Sequence, residues 1–156
     1  MTLNGLLQKS PASLPILQAT FGLERESLRI SKINHRVAQT KHPEILGSRS
    51  FHPYIQTDYS EPQIELITPI ANSTSEVLRF LGAITDVIGR SINKDEYLWP
   101  LSMPPKLTAD EIAIASLEDH WERQYRDHLA KVYGKVLQSM LSLIHISEPT
   151  RRVVIS

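Results

Sequence analysis

Acidic side chains in two segments are the residues of this sequence best suited to do chemistry. The first segment, GLERESLRI at residues 22–30, carries Glu24 and Glu26. No Lys or Arg occurs between positions 49 and 79, and three further carboxylates lie there outside the predicted helix: Asp58, Glu61 and Glu65. Crowded carboxylates raise each other's pKa unless a cation neutralises them. Mg²⁺ and Mn²⁺ do so, because they bind carboxylate oxygens and complete their shells with water and phosphate oxygens. The pattern indicates a divalent metal site, although a solvated acidic face fits the residues alone as well.

The alternation of side chains along a strand decides which of these carboxylates can meet. If residues 22–30 form a strand, Glu24 and Glu26 share a face with Leu28 and Ile30. In the second segment Glu65 shares a face with Gln63 and Ile67. Pairing of the two segments would therefore gather the acidic side chains on one patch. A helix remains open for the first segment, since LERESLRI consists largely of good helix formers.

The remaining elements follow from local patterns. Residues 54–70 are rich in β-branched and aromatic types and are interrupted by Pro62, which favours two strands or one broken strand. The polar residues 31–53 are predicted to be mostly loop. Ser73 and Glu76 form a capping box that predicts a helix over about 74–92. Strands that precede helices favour the α+β class, with helices against one face of a sheet.

The second half is predicted to contain one long helix. Three prolines in residues 95–105 exclude a regular helix or central strand there, and Trp99 and Met103 are expected to fill core space. Thr108 and Glu111 form a second capping box. An apolar stripe from Trp121 to Met140 then advances by three or four residues, which predicts an amphipathic helix to about residue 140 with this stripe in the core.

Composition excludes several classes of function. The 156 residues contain no cysteine, which rules out a disulfide framework, a thiolate nucleophile and zinc–thiolate ligation within this chain. The formal net charge is zero, so no global field attracts nucleic acid or a membrane surface. Without a leader pattern or an 18-residue apolar window, a cytoplasmic protein is expected. Glycine-rich phosphate loops are also absent from the sequence, so a bound nucleotide would depend on metal ions. For the loop residues His35, His42 and His52 a ligand role stays open, but turn roles are favoured.

The last residues do not fit the rest of the pattern. LSLIHISEPTR, residues 141–151, resembles the in-frame translation of a transposase adapter used to prepare DNA sequencing libraries. We therefore expect residues 141–156 to be a non-native tail and residues 1–140 to be the genuine domain sequence.

Several long motifs together resemble a known family. They are FGLERESLRI, HPEILGS, YIQTDYSEPQIELITP, DEYLWPLSMPP and YGKVLQSM. In this order and at these separations they resemble the N-terminal part of bacterial glutamate-cysteine ligase, and most closely the ligase module that opens the bifunctional glutathione synthesis enzyme. The resemblance implies a glutamine synthetase-like fold, an antiparallel sheet curved into a funnel with helices behind it.

The resemblance also implies an activity and a set of site residues. The reaction would join L-glutamate, through an acyl phosphate on its side-chain carboxylate, to L-cysteine with ATP as co-substrate and Mg²⁺ or Mn²⁺ as cofactor. No protein, nucleic-acid or membrane partner is implied. By matching position, Glu24, Glu26, Asp58 and Glu65 would bind metal ions, Tyr59 would lie near the cysteine site, and Glu61 would contact substrate.

One departure from the family pattern affects the expected activity. After YGKVLQSM the family continues with a serine–glycine–aliphatic–His–Tyr–Asn motif, whereas this chain has LSLIHIS. His145 falls one place late and lacks the Tyr–Asn that should follow. We expect the chain to be inactive by itself, because electrostatic catalysis needs the complete set of charges. Two other functions stay open: a different carboxylate–amine ligase on the same scaffold, and a noncatalytic metal-binding module.

Overall fold

One long strand organises the structure, a computed structural model that describes residues 20–101, 103–116, 120–137 and 149–150. Strand β1, Gly22–Ser31, pairs antiparallel with neighbours on both sides. The other strands are β2 (Ile55–Gln56), β3 (Gln63–Ile67), β4 (Glu96–Leu98) and the two-residue β5 (Pro149–Thr150). The order across the sheet is β2-β3-β1-β4, and β5 pairs with Gly22 and Leu23 of β1. The strand predicted over residues 22–30 is confirmed, as is the break at Pro62 that separates β2 from β3.

Helix α1, Thr74–Ser91, covers one face of this sheet, as predicted from the Ser73 and Glu76 pattern. The Ser73 side chain accepts a hydrogen bond from the backbone N–H of Glu76 and so satisfies one free donor of the first turn. The core between helix and sheet consists of aliphatic side chains: Leu46, Ile55, Ile64, Leu66, Ile84, Ile88 and Ile92. The observed architecture is an antiparallel sheet with helices, in the α+β class.

A buried ion pair joins β1 to its neighbour β4. Arg29 of β1 is fully buried, and its guanidinium lies 3.0 Å from the Glu96 carboxylate of β4. The same guanidinium donates to the backbone oxygens of Thr40 at 2.6 Å and Glu61 at 3.1 Å. Arg29 thus ties β1 to the loop after it and to the turn before β3.

Two of the three loop histidines, His35 and His52, have the turn roles that the sequence predicts. The His52 ring accepts from the backbone N–H groups of Tyr54 and Ile55, and His35 adopts a positive φ of 56° in a turn. His42 is buried, and its Nδ1 lies 2.8 Å from the Thr57 hydroxyl. Burial and the nearby charges of Arg49 and Arg29 lower the pKa of His42 to about 4.

The prediction of one helix from Thr108 to about residue 140 is wrong. The Thr108–Glu111 capping box is present, but it caps only a single 3₁₀ turn, Ala109–Glu111. Residues 112–116 are not helical, because their backbone pairs with residues 59–61 through Glu61 N–H to Ala113 O and Ala115 N–H to Tyr59 O. Helix α2 spans His120–Tyr133, and Gly134 follows it with a φ of 79°, which suits a helix C-terminus.

The apolar stripe of α2 is not in the core of this structure, contrary to prediction. Trp121 is 80% exposed, Tyr125 62% and Val132 57%, while Met140 lies outside the described residues. Among the side chains of this helix that the structure describes, the buried one is instead Arg126. Helical periodicity identifies the face that is fit to pack, but it does not supply the surface that covers it.

The proline-rich segment behaves as predicted in one respect and not in another. In the part of this segment that the structure describes, the only regular structure is the short β4, which lies at the end of the strand order. Trp99 is partly buried against a second small core formed by Leu28, Ile30 and Val37, whereas Met103 is 75% exposed, so the core prediction for Met103 is wrong. Within the described ranges, no helix has the length and apolar character needed to cross a membrane.

Candidate metal and substrate site

The register of β1 and β3 brings three of the predicted metal ligands onto one face of the sheet. Glu26 lies directly opposite Glu65, and Glu24 lies opposite Ile67, diagonally across from Glu65. Opposed residues of an antiparallel pair point to the same side of the sheet. This face is the one away from α1, because the Ile64 and Leu66 side chains that alternate with Glu65 pack against that helix. All three carboxylates are half-buried.

The fourth predicted ligand reaches the same face from the turn between β2 and β3. Asp58 and Glu26 accept hydrogen bonds from a single group, the side-chain amide nitrogen of Gln63, at 3.2 Å and 2.8 Å respectively. The other oxygen of Asp58 lies 3.8 Å from the Arg126 guanidinium of α2. We call Glu24, Glu26, Asp58 and Glu65 the carboxylate cluster.

The cluster perturbs its own ionisation strongly. Burial, followed by the charges of Asp58 and Glu65, raises the pKa of Glu26 to about 9. Burial, followed by the charges of Asp58 and Glu24, raises the pKa of Glu65 to about 7, although Arg126 acts in the opposite direction. The charged forms of these groups are therefore short of positive partners.

The donor set of the cluster fits a hard divalent cation. Its members offer only carboxylate oxygens, the ligands that Mg²⁺ and Mn²⁺ prefer, and the raised pKa values of Glu26 and Glu65 agree with a site that lacks positive charge. Among the described residues, however, no three His, Asp or Glu side chains already stand at the spacing that holds an ion. Binding would therefore require rotation of the flexible carboxylate side chains, within a backbone register that already places them together.

Arg126 is a member of the site that sequence reasoning missed. It is buried, it is paired with Asp58, and it faces the cluster from a helix more than sixty positions along the chain. Helical periodicity around it assigns it to a polar face, so only tertiary structure reveals its position. Its guanidinium supplies positive charge on the side of the cluster that faces α2.

Tyr59 follows Asp58 in the chain and lies near the charges of Arg126 and Asp127 on α2. It is 4% exposed, and its hydroxyl is buried without a hydrogen-bond partner among the described residues. Burial, followed by the charge of Asp127, raises the pKa of this hydroxyl, while Arg126 lowers it. A polar group in this state is costly unless it gains a partner, and the predicted role near the cysteine site stays a prediction.

Glu61 is placed apart from the cluster's hydrogen bonds. Its carboxylate lies 2.6 Å from the Arg49 guanidinium and accepts from the backbone N–H groups of His42 at 2.8 Å and Ser116 at 3.3 Å. Burial alone would raise the pKa of Glu61, but the hydrogen bonds from Arg49 and His42 hold it below its usual value. It lines a cleft of about 440 Å³ with Gln39, Lys41, Arg49, Ala113 and Ser116. Its contact with substrate stays a prediction, and His145 lies outside the described residues.

Comparison with known proteins agrees with the motifs in the sequence. The profile of the family described as glutamate-cysteine ligase matches residues 5–147. The glutathione biosynthesis bifunctional protein of Streptococcus mutans is 68% identical over 145 residues, which cover 93% of this chain and 19% of that protein. The corresponding protein of Enterococcus faecalis is 52% identical over 149 residues, 94% of this chain and 19% of that protein.

Two solved structures resemble the fold. The crystal structure of a bifunctional glutathione synthetase from Pasteurella multocida has a TM-score of 0.73 at 42% identity, over 86% of this chain and 16% of that one. A glutamate–cysteine ligase from Francisella tularensis, solved in complex with AMP, has a TM-score of 0.73 at 29% identity, over 76% of this chain and 24% of that one. The chain spans about a fifth of the length of the curated relatives it matches. By the extent of the family match, it belongs to the glutamate-cysteine ligase family.

Proposed function

We propose that this chain is the N-terminal part of an enzyme that makes γ-glutamylcysteine, the first step of glutathione biosynthesis, from L-glutamate, L-cysteine and ATP. The observation that carries the proposal is the carboxylate cluster, held on one sheet face by the β1–β3 register. The names of the relatives support it, as does the AMP complex of the Francisella ligase. We place the enzyme in the cytoplasm, and we propose that the sheet is part of a glutamine synthetase-like funnel.

The reaction proceeds in two steps. The side-chain carboxylate of glutamate attacks the terminal phosphorus of ATP, the bond to ADP breaks, and a γ-glutamyl phosphate forms. The amine of cysteine then attacks the acyl carbon, a C–N bond forms, inorganic phosphate leaves, and the amine loses a proton. Both steps concentrate negative charge on phosphate oxygens, so positioning and positive charge are the main catalytic needs.

The residues of this chain supply one part of those needs. Glu24, Glu26, Asp58 and Glu65 would hold Mg²⁺ or Mn²⁺, which when bound neutralises phosphate oxygens. Arg126 neutralises Asp58 from the α2 side. Tyr59 and Glu61 would contact substrate: the hydroxyl of Tyr59 is buried without a hydrogen-bond partner among the described residues, and Glu61 lines the cleft with Arg49.

The experiment uses a chimera, because the chain alone is expected to be inactive. In the chimera, residues 1–137 of this chain replace the matching stretch of the Streptococcus mutans protein. We expect phosphate release from ATP that requires glutamate and is fastest with cysteine among a panel of amines. A faster rate with another amine would favour the alternative ligase. Binding of Mg²⁺ without any enhancement by ATP, and without turnover, would favour the noncatalytic module.

A further inference from the structure

The side chain of Gln63 connects the two segments that supply the carboxylate cluster. It is completely buried at the start of β3, opposite Leu28 of β1. Its amide nitrogen donates to Glu26 of β1 at 2.8 Å and to Asp58 of the preceding turn at 3.2 Å. A primary amide carries two N–H donors, so these two carboxylates can occupy its donor capacity completely.

The orientation of this amide follows from its surroundings. Its carbonyl oxygen faces the backbone N–H and the hydroxyl of Ser60, both at 3.4 Å. The Gln63 backbone N–H in turn donates to the Ser60 carbonyl at 2.9 Å, which closes a tight turn around Pro62. Reversing the amide would set its oxygen against two carboxylates, so the turn and the cluster favour the same orientation.

The contacts leave oxygens of both carboxylates available to a cation. Gln63 uses Oε2 of Glu26 and Oδ2 of Asp58, and so Oε1 of Glu26 is not engaged by Gln63. Oδ1 of Asp58 faces Arg126 at the long distance of 3.8 Å. A neutral donor fixes the direction of the two side chains without cancelling the negative charge that attracts a cation.

We propose that Gln63 is a positioning residue that orients Glu26 and Asp58 for divalent metal binding. This inference rests on the proposed function, in which the cluster holds the metal of the ligase reaction. Groups that hydrogen-bond to metal ligands and fix their orientation typically change metal affinity by about 10- to 100-fold when they are removed. Gln63 has this relation to two ligands at once, from two different segments of the chain.

The test is a Mn²⁺ titration of the full 156-residue chain, with free Mn²⁺ measured by electron paramagnetic resonance. Gln63→Met removes both donors with little change in side-chain volume and none in charge. We expect it to raise the Kd for Mn²⁺ at least about tenfold, with the circular dichroism spectrum and the metal-free unfolding midpoint close to those of the wild type. Gln63→Leu is a second variant with the same expectation, should the methionine variant fail to fold.

Gln56→Met is the matched control. Gln56 lies on β2 opposite Glu65, but its amide donates to the backbone oxygen of His52 and, among the described residues, to no carboxylate. We expect its Kd for Mn²⁺ to stay within about twofold of the wild type. Equal Kd values for Gln63→Met and the wild type, or equal weakening in Gln56→Met, would overturn the positioning role.

Adding Gln63→Met to a chain that lacks both carboxylate partners separates this role from a general structural one. If Gln63 acts through its two partners, Gln63→Met should weaken Mn²⁺ binding little further in a chain that already carries Glu26→Gln and Asp58→Asn. If Gln63→Met raises the Kd for Mn²⁺ by the same factor in that chain as in the wild type, the inference is contradicted. If the wild-type chain binds Mn²⁺ no better than Glu65→Gln does, the proposed metal site itself is wrong, and the role of Gln63 falls with it.

Discussion

Replacement of Glu65 by glutamine in the chimera is expected to lower kcat on the order of 100-fold or more, with the fold retained. Glutamine keeps the size and strand pairing of the residue but removes a carboxylate that lies directly opposite Glu26. Removal of a single preorganised electrostatic group from an active site commonly costs 100- to 1,000-fold in kcat, about 3–4 kcal/mol. Steady-state phosphate release at saturating ATP measures the effect, and circular dichroism checks the fold.

Asp86→Asn is the control for this prediction. Asp86 is an exposed acidic residue of α1, on the opposite side of the sheet from the cluster. The same loss of one negative charge there should leave kcat within about twofold. Full activity of the Glu65→Gln chimera would show that Glu65 is not a metal ligand that the reaction needs.

Replacement of Glu96 by glutamine is expected to destabilise the chain by about 3–5 kcal/mol. The change leaves the Arg29 guanidinium, which is fully buried, without its carboxylate partner at 3.0 Å. Breaking one side of a buried ion pair is costly because an uncompensated charge remains in a poorly solvated place. Urea unfolding followed by circular dichroism measures the difference in free energy.

Glu111→Gln provides the comparison for a more exposed pair. Glu111 forms an ion pair with Arg36, which is also distant in sequence, but the Arg36 side chain is 34% exposed. We expect a loss below about 1 kcal/mol there. A double variant, Arg29→Met with Glu96→Leu, should recover much of the stability lost in Glu96→Gln, because it removes both charges. A Glu96→Gln chain as stable as the wild type would show that Arg29 reaches solvent or another anion.

The parts of the fold that the sequence predicts are those set by local rules. Alternation over residues 22–30 identifies the face that carries Glu24 and Glu26, because side chains alternate with period 2 whatever the strand pairs with. Ser73 marks the start of α1, since an N-cap acts within one helical turn. The gathering of acidic residues on one face then follows from the pairing of two such strands.

The parts that sequence reasoning misses depend on contacts between distant segments. The capping box at Thr108 is complete, but it begins only a single 3₁₀ turn. The chain does not continue as a helix because residues 113–115 pair with residues 59–61. The sequence pattern assigns Arg126 to the polar face of α2. It becomes part of the site only through its contact with Asp58. Gln63 looks like an ordinary strand residue until the positions of Glu26 and Asp58 are known together. None of these contacts has a local signature.

The most direct measurement of the central claim is anomalous diffraction from crystals of the chain soaked in Mn²⁺. If the cluster is a metal site, an anomalous peak should appear beside β1 and β3, with oxygens of Glu26, Asp58 and Glu65 within about 2.5 Å of it. Crystals that take up Mn²⁺ only elsewhere, with these carboxylates unmoved, would contradict the claim.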